Sequence, residues 1–370
     1  MEDRLRVGVV RMGLGCAAVV AGAGWAQAQP VALPPAPTGV EVTREYGIEF
    51  STIRTAGIVP YIAPEAVPAW PVNDRGVPAG GDYRIARTEI TTGQWMDFVN
   101  SFSTQSAELA NFAWPIYWSA VPDLAYSGPG RRWRLNDSIP NAADASVYGM
   151  TWREAAMYCN WLHNGRGTSM SSITAGAYDT STFGAGGPGL NEGFTDQLRR
   201  SPGARFWIPD LDEWVAGAFY DPSISRWRFS HYGSDVQPIS GLPGDPGAMT
   251  NAWVQNPNVT IESLSELPVW AYGAQSPWGL LGTSGVEGEW LEDTNGTSTI
   301  SGLPGARLLI TSAPWADEGG DSILRAGRSA DWPQLRGVVS FRIAASIPNP
   351  TTGACVLLFG LVAHSRRRLS

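Results

Sequence analysis

The sequence lacks lysine and is poor in cysteine and histidine. All 26 basic residues among its 370 are arginines, beside three cysteines and three histidines. Coding bias explains the missing lysine more simply than a selected role for arginine does. Cys16 and Cys355 lie in terminal segments, which leaves Cys159 as the one cysteine of the central body. A disulfide framework and a cysteine-based metal cluster are therefore excluded, whatever the redox compartment.

The body is also short of positive charge. The chain carries 26 basic and 34 acidic residues, and setting aside its first 28 and last 25 residues removes six arginines and two acids. The body then has 20 basic and 32 acidic residues, a net charge of −12. Because nucleic-acid binding relies on positive surface that neutralises phosphates, we expect no nucleic-acid partner.

The C-terminal segment lacks an apolar run long enough for an ordinary membrane anchor. The run from Ala354 to Ala363 would extend about 15 Å as a helix, whereas a bilayer core is about 30 Å thick. A Pro-x-Pro signal precedes this run and an arginine cluster follows it: Pro348, Asn349, Pro350, Arg366, Arg367 and Arg368.

This arrangement resembles the PEP-CTERM sorting signal of Gram-negative envelope proteins, although Asn349 replaces the usual glutamate. The resemblance implies that residues 346–370 associate transiently with the inner membrane, with the arginines on the cytoplasmic side. An exosortase-like sorting transpeptidase would then cut near the prolines. A short permanent anchor is the alternative.

The N terminus is typical of a secretory signal peptide. Arg4, Arg6 and Arg11 precede a small-residue apolar run from Met12 to Trp25, and Ala26-Gln27-Ala28 supplies a cleavage site. A buried helix is the alternative, but the four glycines of the run make a poor helix for a packed core. We expect residues 1–28 to be removed and the protein to be exported, to the cell envelope or the medium of a Gram-negative-type bacterium.

The remaining chain divides into a linker and one large domain. Residues 29–45 predict an extended linker, because four prolines between positions 30 and 37 cannot form a helix or a central strand. Residues 46–345 predict a single domain that opens with two alternating strand patterns, YGIEFSTI and DYRIARTEI. Gly-rich stretches at 165–203 and 233–247 predict long loops within it.

Three segments of the domain predict short amphipathic helices. Each begins with a capping side chain three residues before a Glu or Gln that can bond back to the free backbone amide. The pairs are Thr91 with Gln94, Thr151 with Glu154, and Asp210 with Glu213. Apolar residues then follow at helical spacing, so each helix should bury one face. Cys159 lies on the apolar stripe of the second helix, which predicts an inert structural thiol.

Five segments of the domain carry recognisable motifs: YRIARTEITTGQWMDFVN, VYGMTWREAAMYCNWLHNG, GARFWIPDLDEW, SPWGLLGTSGVEGEW and LRAGRSADWPQLRGVVSFRIA. In the same order they resemble blocks of the formylglycine-generating enzyme (sulfatase-modifying factor) family, namely EVTNAQY, VSWEDAVAYCNWL, RLPTEAEWE, GNVWEW and RGGSW followed by GFR. The resemblance covers roughly residues 46–345. One such block is a weak signal, but five in order are specific.

The resemblance implies a compact, loop-rich α+β fold related to C-type lectins. The residues agree with it, since short helices, short strands and long loops leave a core that the 17 tryptophans can fill. We expect most tryptophans to be buried. Some could instead line a sugar site, because an aromatic face suits a pyranose ring.

The chain departs from the family at its reactive residues. The oxidising members use a copper-binding cysteine pair in the last block, and this chain has no cysteine between Arg325 and Phe341. The related iron-dependent sulfoxide synthases need a histidine cluster, whereas the body holds only His163 and His231, in unrelated segments. We therefore predict no copper site, no iron site and no catalytic residue. Hydrolysis by paired carboxylates is the surviving enzyme alternative.

Two acidic stretches are candidates for a site that binds a hard cation. One contains Glu287, Glu289, Glu292 and Asp293, and the other Asp317, Glu318 and Asp321. Solvated acidic loops are the simpler interpretation. Calcium is the sharper one, because oxygen ligands on Gly-containing loops suit that ion. Its residues would be Gly285, Glu289 and Asp293, around the block that resembles GNVWEW, where Val286 replaces the usual asparagine. No other cofactor is predicted.

Together these features predict an exported, envelope-displayed and non-catalytic domain of the family. Its ligand would be exopolysaccharide or another surface component, a class motivated by the lectin-like fold and the sorting signal. The competing prediction is a divergent enzyme of the same fold that works with carboxylates. Two acids that face each other in a polar cleft would favour the enzyme, and scattered acids would count against it.

Overall fold

The computed structural model describes most of the central body. The described residues are 32–62, 76–104, 115–184, 193–228, 233–235, 238–250, 266–285, 288–294, 307–311, 327–331 and 339–348. They form short helices and strands in an α+β fold, as predicted. No helix among these residues combines the length and apolarity needed to cross a bilayer. The predicted signal peptide lies outside them.

The larger sheet joins the beginning and the end of the domain. With strands numbered in chain order, it runs β1 (Val42–Glu45), β2 (Ile48–Ile53), β3 (Tyr83–Ala86), β13 (Ala344–Ala345) and β6 (Phe206–Trp207). Every neighbouring pair is antiparallel. The two strand patterns of the sequence are confirmed as β2 and β3. The short β13 pairs with both β3 and β6, so it completes the sheet from the far end of the chain.

A second sheet contains the acidic strand β9 (Gly288–Thr294). Its order is β11 (Gly327–Asp331), β10 (Arg307–Thr311), β9 and β12 (Val339–Ser340), and β12 runs parallel to β9. Two small ribbons pair β4 (Ala120–Pro122) with β5 (Trp133–Leu135) and β7 (Tyr220–Asp221) with β8 (Arg226–Trp227).

The three predicted helices are confirmed, each with its capping box. They are α1 (Thr92–Asn100), α2 (Trp152–His163) and α4 (Leu211–Phe219); α3 (Ser171–Thr174) and two 3-10 turns, Ala142–Asp144 and Thr180–Thr182, are further short elements. In α1 the Thr91 hydroxyl accepts from the Gln94 amide at 3.3 Å, and the Gln94 side chain accepts from the Thr91 amide at 3.0 Å. The other two boxes have the same reciprocal bonds. Each box thus satisfies amides that a helix start leaves free.

The apolar stripes of α1 and α2 meet in an aromatic core. Trp95 stacks on Tyr158 with ring centroids 5.5 Å apart, and Phe98 and Phe341 each contact both rings edge-on. Of the described tryptophans, eight are buried and three are partly buried, which confirms that most of them lie inside. Large aromatic side chains therefore supply much of the apolar burial that the short strands cannot.

The predicted linker is shorter than residues 29–45. Strand β1 begins at Val42 and pairs with β2 over four residues. Before it, the Pro34 carbonyl accepts a bond from Arg87 at 2.6 Å, and the Pro35 carbonyl accepts one from Gln275 at 3.1 Å. The sequence prediction missed β1 because this edge strand buries no residue fully, so it lacks the apolar alternation of a half-buried strand.

Candidate functional site

The acidic residues of strand β9 are buried. Glu289, Glu292 and Asp293 are 3, 1 and 7 % exposed, so the interpretation of this stretch as a solvated loop is wrong. A buried carboxylate requires bound cations or hydrogen-bond donors, and arginines provide them here. Other acids of the two predicted stretches lie outside the described residues: Glu287, Asp317, Glu318 and Asp321.

Arg200, in the loop before β6, joins two of the buried carboxylates. Its guanidinium donates to Glu213 of α4 at 2.7 Å and to Glu292 of β9 at 3.1 Å. Its backbone amide and the Tyr178 hydroxyl both donate to Oε1 of Glu292, at 2.7 and 3.0 Å. The Trp207 indole donates to Glu213 at 2.9 Å. These bonds connect α4, β9 and the loop before β6.

Arg199 contacts the remaining acids of this region. It donates to Asp293 at 3.0 Å and lies 3.5 Å from Asp210 and 3.6 Å from Glu292. Asp293 also accepts a bond from the Leu211 amide, at the start of α4, at 2.6 Å. We call the following six residues the arginine–carboxylate cluster: Arg199, Arg200, Asp210, Glu213, Glu292 and Asp293. Its acids surround the positive end of the α4 dipole, which favours negative charge.

The cluster holds four carboxylates against two guanidinium groups, and its pKa values reflect that excess. Burial, together with the charges of Glu213 and Asp293, raises the pKa of Asp210 to about 7. Burial also raises the pKa values of Glu213 and Glu292, although Arg200 opposes both shifts. A pKa of about 7 places the titration of Asp210 near neutral pH.

The cluster brings four carboxylates together, but no two of them are free to act together as general acid and base. General acid–base catalysis needs a carboxylate oxygen that can reach the proton of a substrate. Both oxygens of Glu213 and both of Glu292 accept bonds from neighbouring protein groups. Asp210 has the most accessible acid side chain of the cluster, with 14 % of it exposed, and its Oδ1 caps α4.

A second buried ion pair fixes β9 to the last part of the domain. Arg342 donates through Nε and Nη2 to the two oxygens of Glu289, both at 2.7 Å, and the side chains are 0 and 3 % exposed. The same guanidinium donates to the carbonyls of Ala86 and Leu281 at 3.3 and 3.1 Å. This two-pronged geometry is the strong form of an arginine–carboxylate pair.

The predicted calcium residues are already engaged with the protein. Glu289 is bound by Arg342, Asp293 is bound by Arg199 and a backbone amide, and Gly285 is buried. Within the part of the chain that the structure describes, no three acidic, histidine or cysteine side chains form a group suited to a metal. A calcium ion at Glu289 would have to displace Arg342, and the calcium site stays a prediction.

The one cysteine of the body lies in the core. Cys159 is fully buried, and burial raises the pKa of its thiol well above the usual range. This agrees with the predicted structural role, because the reactive form is the thiolate. His163, at the end of α2, accepts a bond from the Arg205 amide at 3.1 Å, and burial lowers its pKa. His231 lies outside the described residues.

The sequence analysis missed the arginines that organise this region. Besides Arg199, Arg200 and Arg342, the buried Arg307 of β10 donates to the Glu292 carbonyl at 2.6 Å. Its guanidinium carbon lies 3.6 Å from the centre of the Trp152 ring, and burial lowers its pKa to about 10. Arg342 is the arginine of the block that resembles GFR, whereas no motif marks Arg199, Arg200 or Arg307. The usable signal was charge balance, because buried acids need cations and this chain has no lysine.

A surface cleft of about 460 Å³ borders the arginine–carboxylate cluster. It lies at one end of the larger sheet, beside the start of β3 and the loop before β6. Arg200 and Glu213 of the cluster line it, and so do Ser346 and Ile347. A cleft of this volume lies within the range that accommodates small organic ligands.

The domain leads directly into the predicted sorting signal. The Ser346 amide donates to the Arg205 carbonyl at 3.0 Å, and the Ser346 carbonyl accepts from Arg84 at 2.8 Å. Two residues later Pro348 is exposed. The rest of the predicted signal lies outside the described residues: Asn349, Pro350, Arg366, Arg367 and Arg368.

Comparison with known proteins identifies a family and similarity to solved structures. A family model described as the sulfatase-modifying factor enzyme 1-like domain matches residues 70–342. No curated protein matches the chain. Among solved structures, the chain is similar to Treponema denticola variable protein 1, at 13 % sequence identity and a TM-score of 0.40. That similarity covers 84 % of this chain and 100 % of the Treponema chain.

Proposed function

The chain belongs to the sulfatase-modifying factor enzyme 1-like domain family, and from this premise we propose that it is a non-catalytic member. In this proposal the protein is exported, displayed at the cell envelope, and binds exopolysaccharide or another surface glycan. The observation that carries it is the arginine–carboxylate cluster. There the carboxylates that a hydrolase would need already accept hydrogen bonds from arginines and backbone amides.

The residue inventory supports the absence of the family's oxidative chemistry. The body has one cysteine, which is buried in the core, and none between Arg325 and Phe341. Copper-dependent oxidation by the family needs a thiolate pair, because thiolates hold Cu(I). The copper chemistry lacks its thiolate pair in this sequence. A histidine-bound iron would need a histidine cluster, and His163 is already bonded to Arg205.

The finer fold assignment is part of the proposal. A loop-rich body with strands of two to seven residues supports a relation to C-type lectins. In such a body the loops, rather than the regular elements, provide most of the surface available for a ligand.

Export and display rest on the two ends of the sequence. The basic and apolar N terminus supports secretion, and the Pro-x-Pro signal with its short apolar run supports sorting by an exosortase-like transpeptidase after transient contact with the inner membrane. The net charge of −12 on the body agrees with a partner other than nucleic acid.

A glycan array tests the binding function. The protein, purified from cells that express the full-length gene, is applied with and without added calcium. We expect binding to at least one bacterial surface polysaccharide and no change in the length of that polysaccharide. Failure to bind any glycan in either condition would contradict the proposal. Calorimetric titration with calcium alone tests the calcium prediction. If calcium produces no heat and does not shift the melting temperature, the calcium site is eliminated.

A divergent carboxylate hydrolase is the second candidate, and one observation favours it. Asp210 combines a pKa raised to about 7 with a partly exposed side chain, as a general acid requires. Release of new reducing ends from an array polysaccharide, abolished by Asp210→Asn, would establish the hydrolase. Binding without such release would establish the non-catalytic function instead.

A further inference from the structure

The cleft beside the arginine–carboxylate cluster is built from rigidly held polar groups. Asp82 accepts bonds from the Thr55 amide at 2.8 Å and from Arg54 at 3.0 Å, and 36 % of its side chain is exposed. Across the cleft, Arg200 is held by Glu213 and lies 4.2 Å from the centre of the Trp207 ring. A ligand would thus meet an acceptor and a donor whose orientations are fixed before it binds.

Asp82 and Arg200 can each form a further hydrogen bond with a ligand. Among the residues that the structure describes, Oδ2 of Asp82 accepts a bond from Arg54 alone, and a carboxylate oxygen can accept two. Arg200 directs its Nη atoms to Glu213 and Glu292, whereas its Nε has no acceptor among the described residues. A group that both donates and accepts, such as a hydroxyl, matches this pair better than a group that can do only one of these.

The charge of the lining disfavours an anion. Asp82 is the most exposed of the three charged residues in the lining, at 36 % against 21 % for Arg200 and 2 % for Glu213. The backbone amide of Thr55 holds the pKa of Asp82 below its usual range, so this acid stays charged. The net charge of −12 on the body acts in the same direction. A cationic ligand would gain little binding energy, because Asp82 is already paired with Arg54 and Glu213 with Arg200.

Apolar surface completes the cleft. Pro202 is exposed and Ile347 partly exposed, and both line the cleft together with Trp207. Pyranose rings present hydroxyls at their edges and C–H groups on their faces, so they need polar and apolar walls together.

We propose that this cleft is a glycan subsite of the protein and that it takes an uncharged sugar unit rather than an acidic one. The inference rests on the proposed binding function and deepens it by naming the site and the ligand class.

A matched pair of glycine substitutions tests the site. Gly80 has a backbone conformation open to any residue, and a Cβ there would lie 3.4 Å from Nη2 of Arg200, so Gly80→Leu adds its side chain beside Arg200 and narrows the cleft. Gly273 is exposed, and a Cβ there would meet nothing within 4 Å, so Gly273→Leu is the control. Ile347→Trp fills the cleft from another wall and serves if Gly80→Leu does not fold like the wild type.

The probes are cellohexaose, mannohexaose and hexagalacturonic acid, titrated calorimetrically into the protein produced from the full-length gene. We expect at least one neutral probe to bind, with hexagalacturonic acid weaker by about tenfold or more, a difference of about 1.4 kcal/mol. Gly80→Leu should weaken the neutral probe by about tenfold or more, and Gly273→Leu should leave its affinity unchanged.

Each other outcome overturns a defined part of the inference. Wild-type affinity in both cleft-filling variants would place the glycan elsewhere and leave the binding function intact. Tighter binding of hexagalacturonic acid than of both neutral probes would reverse the ligand class. Binding of no probe by the wild type contradicts the neutral subsite, and the wider array then shows whether the binding function has failed as well.

Discussion

At the scale of single residues, arginine acts as the internal counter-ion of this protein. Arg200 and Arg342 lie largely or fully inside the fold, and each pairs with a carboxylate on an element distant in sequence. Forming such a buried pair gives little net stability, because both charges lose water. Removing one partner strongly lowers the free energy of unfolding, since the other charge then stays buried alone.

Arg342 provides the clearest test of this role. Arg342→Ala leaves Glu289 buried without its counter-ion, and we expect the free energy of unfolding in urea to fall by about 3–5 kcal/mol. Arg54→Ala is the matched control, because its ion pairs with Glu41 and Asp82 are exposed and should matter little. Equal effects of the two substitutions would contradict the counter-ion role.

Asp210 makes stability depend on pH. Its folded pKa of about 7 lies above its unfolded value of about 3.9, so the folded protein binds more protons between these values. This residue therefore stabilises the fold most at the acidic end of the window, and that contribution is lost as pH rises toward 7.

Asp210→Asn removes this titration but keeps a capping oxygen for α4. We expect the variant to melt like the wild type near pH 4 and at a higher temperature at pH 8, measured by thermal denaturation. Glu213 and Glu292 shift in the same direction and stay in both proteins. Because the Asp210 charge also raises the pKa of Glu292, the comparison at each pH reports the Asp210 charge together with its effect on that neighbour. A wild type that melts at the higher temperature at pH 8 would show that its charge at Asp210 is favourable.

At the scale of elements, local patterns were predictable and distant pairings were not. The capping boxes of α1, α2 and α4 and strands β2 and β3 are specified within a few neighbouring residues, and all are present. Strand β13 is two residues long, and only its partners define it as a strand. The pairing of Arg200 with Glu292 crosses 92 residues, so no sequence spacing could indicate it.

The terminal strand gives a test at this scale. A chain that ends after Pro348 keeps β13 and both bonds of Ser346, and we expect it to unfold in a single cooperative transition. A chain that ends after Phe341 loses β13 and Arg342 together, so we expect rapid digestion by protease and no cooperative transition. Similar protease resistance of the two chains would contradict the closing role of β13.

At the scale of the whole molecule, the described fold ends before most of the predicted sorting signal. The sheet is complete at Ala345, and Pro348, the first residue of the predicted sorting signal, is exposed. A cut near the prolines would therefore leave every described strand and the lining of the cleft intact. The account predicts a folded body that works outside the inner membrane once both terminal segments have been removed.

The intact mass of the natively expressed protein, taken separately from inner-membrane, envelope and medium fractions, distinguishes a sorted protein from an anchored one. The account predicts a form that starts near Gln29 and ends near Pro348, found in the envelope or the medium. A form that keeps Arg366, Arg367 and Arg368 and stays with the inner membrane would contradict it, because the C-terminal segment would then be a permanent anchor.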